Sequence, residues 1–364
     1  MTRCPAANHN VMPNKKARIE FIDLAKGFCI LAVVMYHIFR TIGVEYPFED
    51  LFSKIRMPLY FVLSGLFFKE YENFLGFFKR KTNKLLVPFV FFYLVLATPV
   101  MLYKGLAAGK TLAVSAKEAL LGWYHEEFTN IPTWFLLSLF LVNLLFYAVM
   151  LLSRRFGDKY VGALVVLTLA VGSVGAFLGY QRIDLPAFID TSLTALPLYC
   201  LGYLLNRHSN ILRKSKLDRY LLLVIPLMLA MAYLVDGRCN FITNHFWIHP
   251  LLFYPSCALA AVAVILLAKV IKHIPWVTYV GRYSIMLLIF HEPVYAIVIY
   301  LLDKCHLPRG YFFAFTTFVV TSAILTLLIP FCKRFLPMFT AQKDLIKVGT
   351  ATTAGNGNTA NDKG

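Results

Sequence analysis

Ten stretches of mostly apolar residues follow one another along the chain, and this pattern constrains its fold more than any other feature. A hydrocarbon core of about 30 Å needs roughly 20 apolar residues in helical form. Apolar positions run continuously within each stretch and do not alternate, which excludes a closed barrel. The stretches cover residues 20–41, 57–72, 84–103, 133–153, 159–179, 191–206, 219–235, 251–271, 281–302 and 311–335.

Composition leads to the same interpretation. Of the 364 residues, 59% are hydrophobic and only 15% are charged, whereas soluble globular chains carry roughly a quarter charged residues. We therefore expect an all-α, polytopic integral membrane protein with about ten transmembrane helices, for which the lipid bilayer is a partner. One membrane domain should cover 18–340, between a flexible cytoplasmic N-terminus at 1–17 and a disordered cytoplasmic tail at 341–364.

Basic residues set the expected orientation. The net charge of +17 comes from short runs between apolar stretches, such as Lys79-Arg80-Lys81 and Arg154-Arg155. With a cytoplasmic N-terminus, about 24 Lys and Arg fall in cytoplasmic segments and about 10 in external ones, so both termini should be cytoplasmic. The same rule accounts for the basic charge without nucleic acid, which we exclude as a partner.

The first stretch contains three ionisable residues, Asp23, Lys26 and His37. Such residues within a span are costly and indicate function. The eleven-residue step from Lys26 to His37 returns to within roughly 20° of the same helix face, about 16 Å further along the axis. Asp23 is close enough to pair with Lys26. We expect all three to be catalytic. The structural alternatives are an interfacial Asp23–Lys26 pair and a His37 satisfied by a neighbouring helix.

The second stretch opens with Arg56, Met57 and Pro58 and continues to Ser64 and Gly65. Pro58 suits the first turn of a helix, where its missing N–H is not needed. Arg56 should then lie at the external interface, either as a substrate-binding residue or as an anchor. The Ser64-Gly65 pair fits a close contact between helices better than it fits a nucleophile.

Three later features are weaker. Trp134 begins the fourth stretch, as a site residue or as part of an interfacial aromatic belt. His291 falls within the ninth stretch, where Pro293 should kink the helix and free backbone carbonyls; the alternative is a purely structural kink. His245 and His249 are spaced for one helix face, but no third ligand accompanies them, so we predict no metal site.

Together these residues resemble the acyltransferase 3 family of integral-membrane O-acyltransferases, over about Arg18 to Phe335. The most specific part is Asp23-Leu24-Ala25-Lys26-Gly27, then His37, then Arg56 through Gly65. The family has a basic residue eleven positions before the histidine, and Lys26 stands there in place of the commoner Arg. Trp134-Phe135-Leu136 and the segment 281–291 resemble later family patterns with lower specificity.

The resemblance implies transfer of an acyl group, usually acetyl, from a coenzyme A thioester to a hydroxyl group of a sugar or another cell-envelope acceptor. His37 would be the catalytic histidine, and Lys26 would assist with the donor beside Asp23. Acyl-CoA would be a co-substrate, with no bound cofactor. The chain would be the stand-alone form of the family, in a bacterial inner membrane. Substrate binding would fall to Arg56, Trp134 and His291.

Two rival classes fit the same residues. A proton-coupled transporter or flippase of a glycan or small metabolite would use the same buried titratable stripe, and a membrane scaffold would need none of it. The sequence leaves open the acceptor, its membrane face, acetyl against other acyl groups, direct transfer against an acyl-histidine, and the oligomeric state.

Overall fold

The computed structural model describes residues 19–70, 73–209, 211–213 and 216–347. The predicted N-terminal segment 1–17 and residues 348–364 of the predicted tail lie outside the described residues. Within them the fold is helical, with one short antiparallel strand pair. The elements are α1 (Glu20–Ile42), α2 (Glu49–Leu66), α3 (Phe74–Ala107), α4 (Leu112–Leu121), α5 (Trp134–Arg154), α6 (Tyr160–Tyr180), α7 (Ile189–His208), α8 (Leu221–Leu234), β1 (Cys239–Asn240), β2 (His245–Phe246), α9 (Pro250–Ile271), α10 (Pro275–Arg282), α11 (Ser284–Lys304) and α12 (Tyr311–Phe335).

Eight helices in the described part of the chain are long and apolar enough to cross a membrane: α1, α3, α5, α6, α7, α9, α11 and α12. Helices α2 and α8 occupy the places of the predicted second and seventh spans. Helix α2 carries four charged residues and α8 has only 14 residues. The protein is thus an all-α polytopic membrane protein, and by this criterion the described residues do not reach the predicted total of about ten spans.

Helix α2 differs most from expectation. It begins at Glu49, eight residues before the predicted start, so the placement of Pro58 in a first turn is wrong and Pro58 lies inside the helix. The charged residues before it find partners within the bundle. Lys54 is fully buried and donates to the carbonyl oxygens of Ala232, at 3.1 Å, and Val235. A cation there offsets the negative end of the α8 dipole, a contact that hydropathy cannot reveal.

Helix α1 lies at the centre and contacts α2, α9, α10, α11 and α12. Its N-terminal half meets α10 at backbone distance. A side chain at Gly27 would overlap the carbonyl oxygen of Val277, and one at Gly281 would overlap that of Asp23. Small residues permit such close approach between membrane helices. This end of α1 is therefore fixed by packing.

A similar contact joins α2 to α7. A side chain at Gly65 would overlap the carbonyl oxygen of Tyr199, and one at Gly202 would overlap that of Val62. Gly65 is therefore a helix-packing position, as the sequence suggested, and α2 is held closely against α7.

The chain after α12 folds back onto α3. The side chain of Asn83, in a π-helical turn of α3, accepts from the backbone N–H groups of Leu345 and Ile346, at 3.0 and 2.8 Å. Phe339 stacks on Phe91, with ring centroids 3.7 Å apart. The predicted disordered tail begins at 341, yet the described residues 341–347 include these hydrogen-bonded positions. Asn83 is fully buried and supplies the polar partner that the sequence pattern does not reveal.

Candidate active site

A cavity of about 1450 Å³ opens at the end of the bundle where α1 terminates. Its walls are the C-terminal half of α1, the N-terminal half of α2, part of α11, and the loops that follow α1, α4, α6 and α8. These are the loops that the distribution of basic residues assigns to the outer side of the membrane. The volume exceeds the roughly 300–1,000 Å³ typical of small-molecule sites.

His37 lines this cavity just over one turn before α1 ends. Its ring lies against that of His291, with centroids 5.3 Å apart, and against Tyr36 at 5.4 Å. The Thr41 hydroxyl donates to the His37 carbonyl oxygen, at 2.8 Å, and closes the last turn of the helix. Within the described part of the chain the ring nitrogens of His37 have no hydrogen-bond partner. They are therefore available to a ligand.

His291 lies behind His37, fully buried, and does not line the cavity. Its Nδ1 is 2.9 Å from the carbonyl oxygen of Leu287. Because a carbonyl can only accept, Nδ1 carries the hydrogen and Nε2 presents its lone pair. That Nε2 is buried without a partner among the described residues, a costly state for a polar atom. His291 is thus placed to act on His37 rather than on a substrate directly.

Arg56 also reaches the cavity, but from inside the fold. Its guanidinium pairs with both carboxylate oxygens of Glu49, at 2.8 and 2.6 Å. It lies over the ring of Tyr36 at 3.9 Å and near that of Tyr46 at 5.5 Å. Arg56 is therefore buried within the protein, where Glu49 and the tyrosines are its partners, and its predicted level at the external interface stays a prediction. These contacts restrain the side chain of Tyr36, the residue before His37.

Two further elements complete this wall. Trp134, in the first turn of α5, lines the cavity and is 5% exposed, so it packs within the protein rather than in a lipid-facing belt. Glu292 and Tyr295 of α11 line the cavity next to His291. The Tyr295 hydroxyl accepts from Thr41, at 3.3 Å. Oε2 of Glu292 is buried without a hydrogen-bond partner in the described chain.

Asp23 and Lys26 lie towards the other end of α1. Asp23 is buried and its carboxylate is 3.6 Å from the guanidinium of Arg282. The Lys26 ammonium lies 5.6 Å from the centre of the Phe67 ring. Neither residue lines the cavity. The predicted stripe does share one helix, but the structure brings only His37 of its three ionisable residues to the cavity.

The cavity is acidic on balance. Among its described lining residues, carboxylates outnumber arginines by six to three. Such a lining repels phosphate groups and suits neutral, hydroxyl-bearing ligands, because carboxylates accept hydrogen bonds. The carboxylates are Glu45, Glu49, Asp50, Glu126, Asp184 and Glu292, and the arginines are Arg40, Arg56 and Arg238.

The sequence did not single out Glu126 as a site residue. Its place in space depends on contacts with distant segments and could not be read from the sequence. Glu126 has a positive φ of 62°, which is uncommon for this residue type and typical of functional sites. Burial, and secondarily the nearby Asp190 and Asp184, raise the pKa of its carboxyl to about 7.

In the described part of the chain, no group of three or more His, Cys, Asp and Glu is arranged to hold a metal ion. His245 instead faces Asp184, with Nε2 3.6 Å from a carboxylate oxygen. Burial, and then the charge of Arg182, lower the pKa of His245. This histidine is therefore neutral near pH 7, and its pairing with Asp184 is weak.

Comparison with known families adds one finding to this geometry. A family model described as an acyltransferase domain matches residues 19–333. That range includes His37 and every wall of the cavity. No curated protein and no solved structure matches the chain.

Proposed function

The chain belongs to the acyltransferase domain family and is a multi-pass membrane protein, and on that premise we propose that it transfers an acyl group from acyl-CoA to a hydroxyl group bound in the cavity. The observation that carries the proposal is His37. It combines an available imidazole, an ordered ring neighbour and direct access to a cavity large enough for an acceptor. A positioned imidazole is the commonest proton acceptor in transfer chemistry.

In the proposed step, a ring nitrogen of His37 removes the proton from the acceptor hydroxyl as its oxygen attacks the thioester carbonyl. The new C–O bond forms, the C–S bond breaks, and the departing thiolate receives the proton that His37 took. Such base catalysis contributes roughly 10²–10⁴-fold. The ring of His291, packed against that of His37, would help to orient it. An acyl-histidine intermediate is the alternative route.

The donor would approach from the opposite end of α1. Coenzyme A carries several phosphates, and the acidic cavity lining opposes their entry. Lys26 lies about 16 Å along the helix from His37 and is the predicted donor-side cation. We propose that the nucleotide stays near Lys26, where Asp23 pairs with Arg282, while the acyl end reaches His37.

The family resemblance further supports acetyl as the acyl group, a cell-envelope sugar as the acceptor, and a bacterial inner membrane as the location. The test is coenzyme A release from acetyl-CoA by purified protein in liposomes, across a panel of neutral glycosides. Wild type should release coenzyme A in an acceptor-dependent manner, and His37→Gln should lose this activity by roughly 10²–10⁴-fold. The matched control is His249→Gln, because His249 is exposed and does not line the cavity.

Equal release by wild type and His37→Gln would remove His37 from the reaction. Movement of a glycan across sealed vesicles without thioester consumption would instead support a transporter. A chromatographic search for the acylated glycoside separates transfer from simple hydrolysis of acetyl-CoA.

A further inference from the structure

The part of the cavity wall formed by the loop after α4 contains a carboxyl that the proposed reaction does not use. We propose that Glu126 is an acceptor-binding residue, which receives hydrogen bonds from hydroxyl groups of the acceptor and so sets its position in front of His37. The identity of the ligand as a hydroxyl compound rests on the proposed function. The role of Glu126 rests on its own geometry.

The first observation is how firmly Glu126 is held. Its Oε1 accepts from the backbone N–H of Phe188, at 2.6 Å, just before α7 begins. The backbone N–H of Ala187 donates to the carbonyl oxygen of Tyr124, at 3.1 Å. Two adjacent contacts thus tie the Glu126 loop to the start of α7, although the two segments are 62 residues apart in sequence.

The backbone at this contact is strained on both sides. Ala187 and Phe188 have φ values of 59° and 60°, and Glu126 has 62°. Each such conformation costs on the order of 1–3 kcal/mol for a residue other than glycine. Such conformations persist only where the surrounding contacts impose them, and the hydrogen bond from Phe188 restrains the Glu126 carboxyl.

The second observation is where the carboxyl is directed. Glu126 is half-buried and lines the cavity. With Oε1 engaged by Phe188, Oε2 has no hydrogen-bond partner in the described chain. A held carboxyl with a vacant oxygen at a cavity wall is suited to bind a hydroxyl, because each carboxylate oxygen accepts up to two hydrogen bonds.

The surrounding charges favour a neutral ligand. Asp184, in the loop before α7, and Asp190, on α7, both act electrostatically on Glu126. His245 of β2 pairs weakly with Asp184, and His125 and Glu127 flank Glu126 in sequence. The carboxyls of Glu126, Asp184 and Asp190 outnumber the Arg182 cation, whose charge acts on His245. A phosphate or carboxylate group on the ligand is therefore disfavoured at this wall.

The experiment measures binding, which does not require transfer. Wild type, Glu126→Gln and Glu127→Gln are placed in lipid nanodiscs, and the binding of a panel of neutral methyl glycosides is measured by calorimetry at a pH above the Glu126 pKa of about 7. Glu127 is the matched control, since it is exposed and does not line the cavity. Gln preserves the oxygen that accepts from Phe188, so thermal stability should change little.

We expect Glu126→Gln to weaken binding by roughly tenfold, as for a hydrogen bond to a charged group, while Glu127→Gln binds as wild type does. A series of monodeoxy glycosides sharpens the result. One deoxy analogue should bind wild type roughly tenfold less well than its parent, and parent and analogue should bind Glu126→Gln equally. That coupling identifies a specific hydroxyl and is not produced by a general structural defect.

Equal binding of the parent glycosides to wild type and Glu126→Gln would overturn the inference. So would a lack of coupling with every deoxy analogue, or wild type that binds none of the glycosides. Binding that depends on Glu126 without acyl transfer would leave this inference standing and reject the proposed function. The two proposals therefore fail separately.

Discussion

The two halves of α1 are built in opposite ways. At the N-terminal half, Gly27 and Gly281 bring α1 and α10 into backbone contact, and the Asp23 carboxylate is buried beside Arg282. At the C-terminal half, His37 faces a cavity of about 1450 Å³. The same helix therefore serves as a packed anchor at one end and as the wall of a site at the other.

The difference shows how one helix positions a reactive group across a membrane domain. Close packing restricts one end because protein interiors resist small displacements. Side chains at the other end can then face open space and still be accurately placed. Arg56 and Glu49 extend this support around the cavity, since the paired guanidinium lies over the ring of Tyr36, the residue before His37. The following predictions test that contrast.

The largest expected effect is a loss of stability when the ion pair between Arg56 and Glu49 is broken. Arg56→Ala leaves Glu49 without its cation in a largely buried place, with side-chain exposures of 8% and 20% for the pair. Removing one partner of a buried pair costs about 3–5 kcal/mol. We expect a correspondingly lower free energy of unfolding in detergent, measured by denaturant titration.

The double variant Arg56→Met with Glu49→Gln is the control for this pair. It removes both charges and should be clearly more stable than Arg56→Ala. If the single variant were as stable as wild type, the ion pair would not be a support of the site.

The next largest effect concerns the packed end. Gly281→Ala places a methyl group against the carbonyl oxygen of Asp23, and overpacking of this kind costs about 1–3 kcal/mol. Thermal unfolding should report a lower midpoint. Gly162→Ala in α6 is the control, because a Cβ there meets nothing within 4 Å. Similar midpoints for both variants would contradict the close contact between α1 and α10.

A smaller, functional effect should separate the two halves of α1. Lys26→Met is expected to raise the KM for acetyl-CoA by roughly tenfold, as for one charge-assisted contact, and to leave the KM for the acceptor unchanged. Steady-state kinetics in liposomes measures both. Lys159→Met is the control, since Lys159 is an exposed cation between α5 and α6. A change confined to the acceptor KM would reverse the proposed direction of donor approach.

The smallest effect is a pH dependence of stability from Glu126. Its pKa is about 7 in the folded protein, above the ordinary value of 4.5, chiefly because of burial. Because the carboxyl pKa is higher in the folded protein, the unfolded chain loses this proton at a lower pH than the folded protein does. Stability from this group is therefore full below pH 4.5 and is lost as the pH rises through about 7.

Thermal unfolding at pH 5, 6, 7 and 8 checks this dependence. The midpoint of wild type should fall relative to that of Glu126→Gln across the series and then level off. Glu127→Gln should follow wild type. Parallel curves for wild type and Glu126→Gln would show that the carboxyl is not buried as described.

Much of the fold follows from sequence because hydropathy is a local property. Each of the eight spanning helices overlaps a predicted stretch, and α12 has its predicted bounds of 311 and 335, although α3 begins at Phe74, before the predicted 84. Hydropathy did not predict the start of α2, because its charged residues Glu49, Lys54 and Arg56 have partners that are distant in sequence or on the same helix face. A hydropathy window counts charged residues and contains no information about their partners in the folded protein.

By itself, the sequence determined that the chain is an integral membrane protein and that Asp23, Lys26 and His37 share one helix. It also showed the resemblance to acyltransferases, which the family match confirms. These conclusions rest on hydropathy, helical periodicity and motif spacing, all of which are short-range. Only the tertiary structure decided that Lys26 is separated from the cavity, that His291 stands behind His37, and that Glu126 lines the same cavity as His37. Those placements depend on which helices and loops pack together, and contacts between distant parts of a chain leave no periodic signal along it.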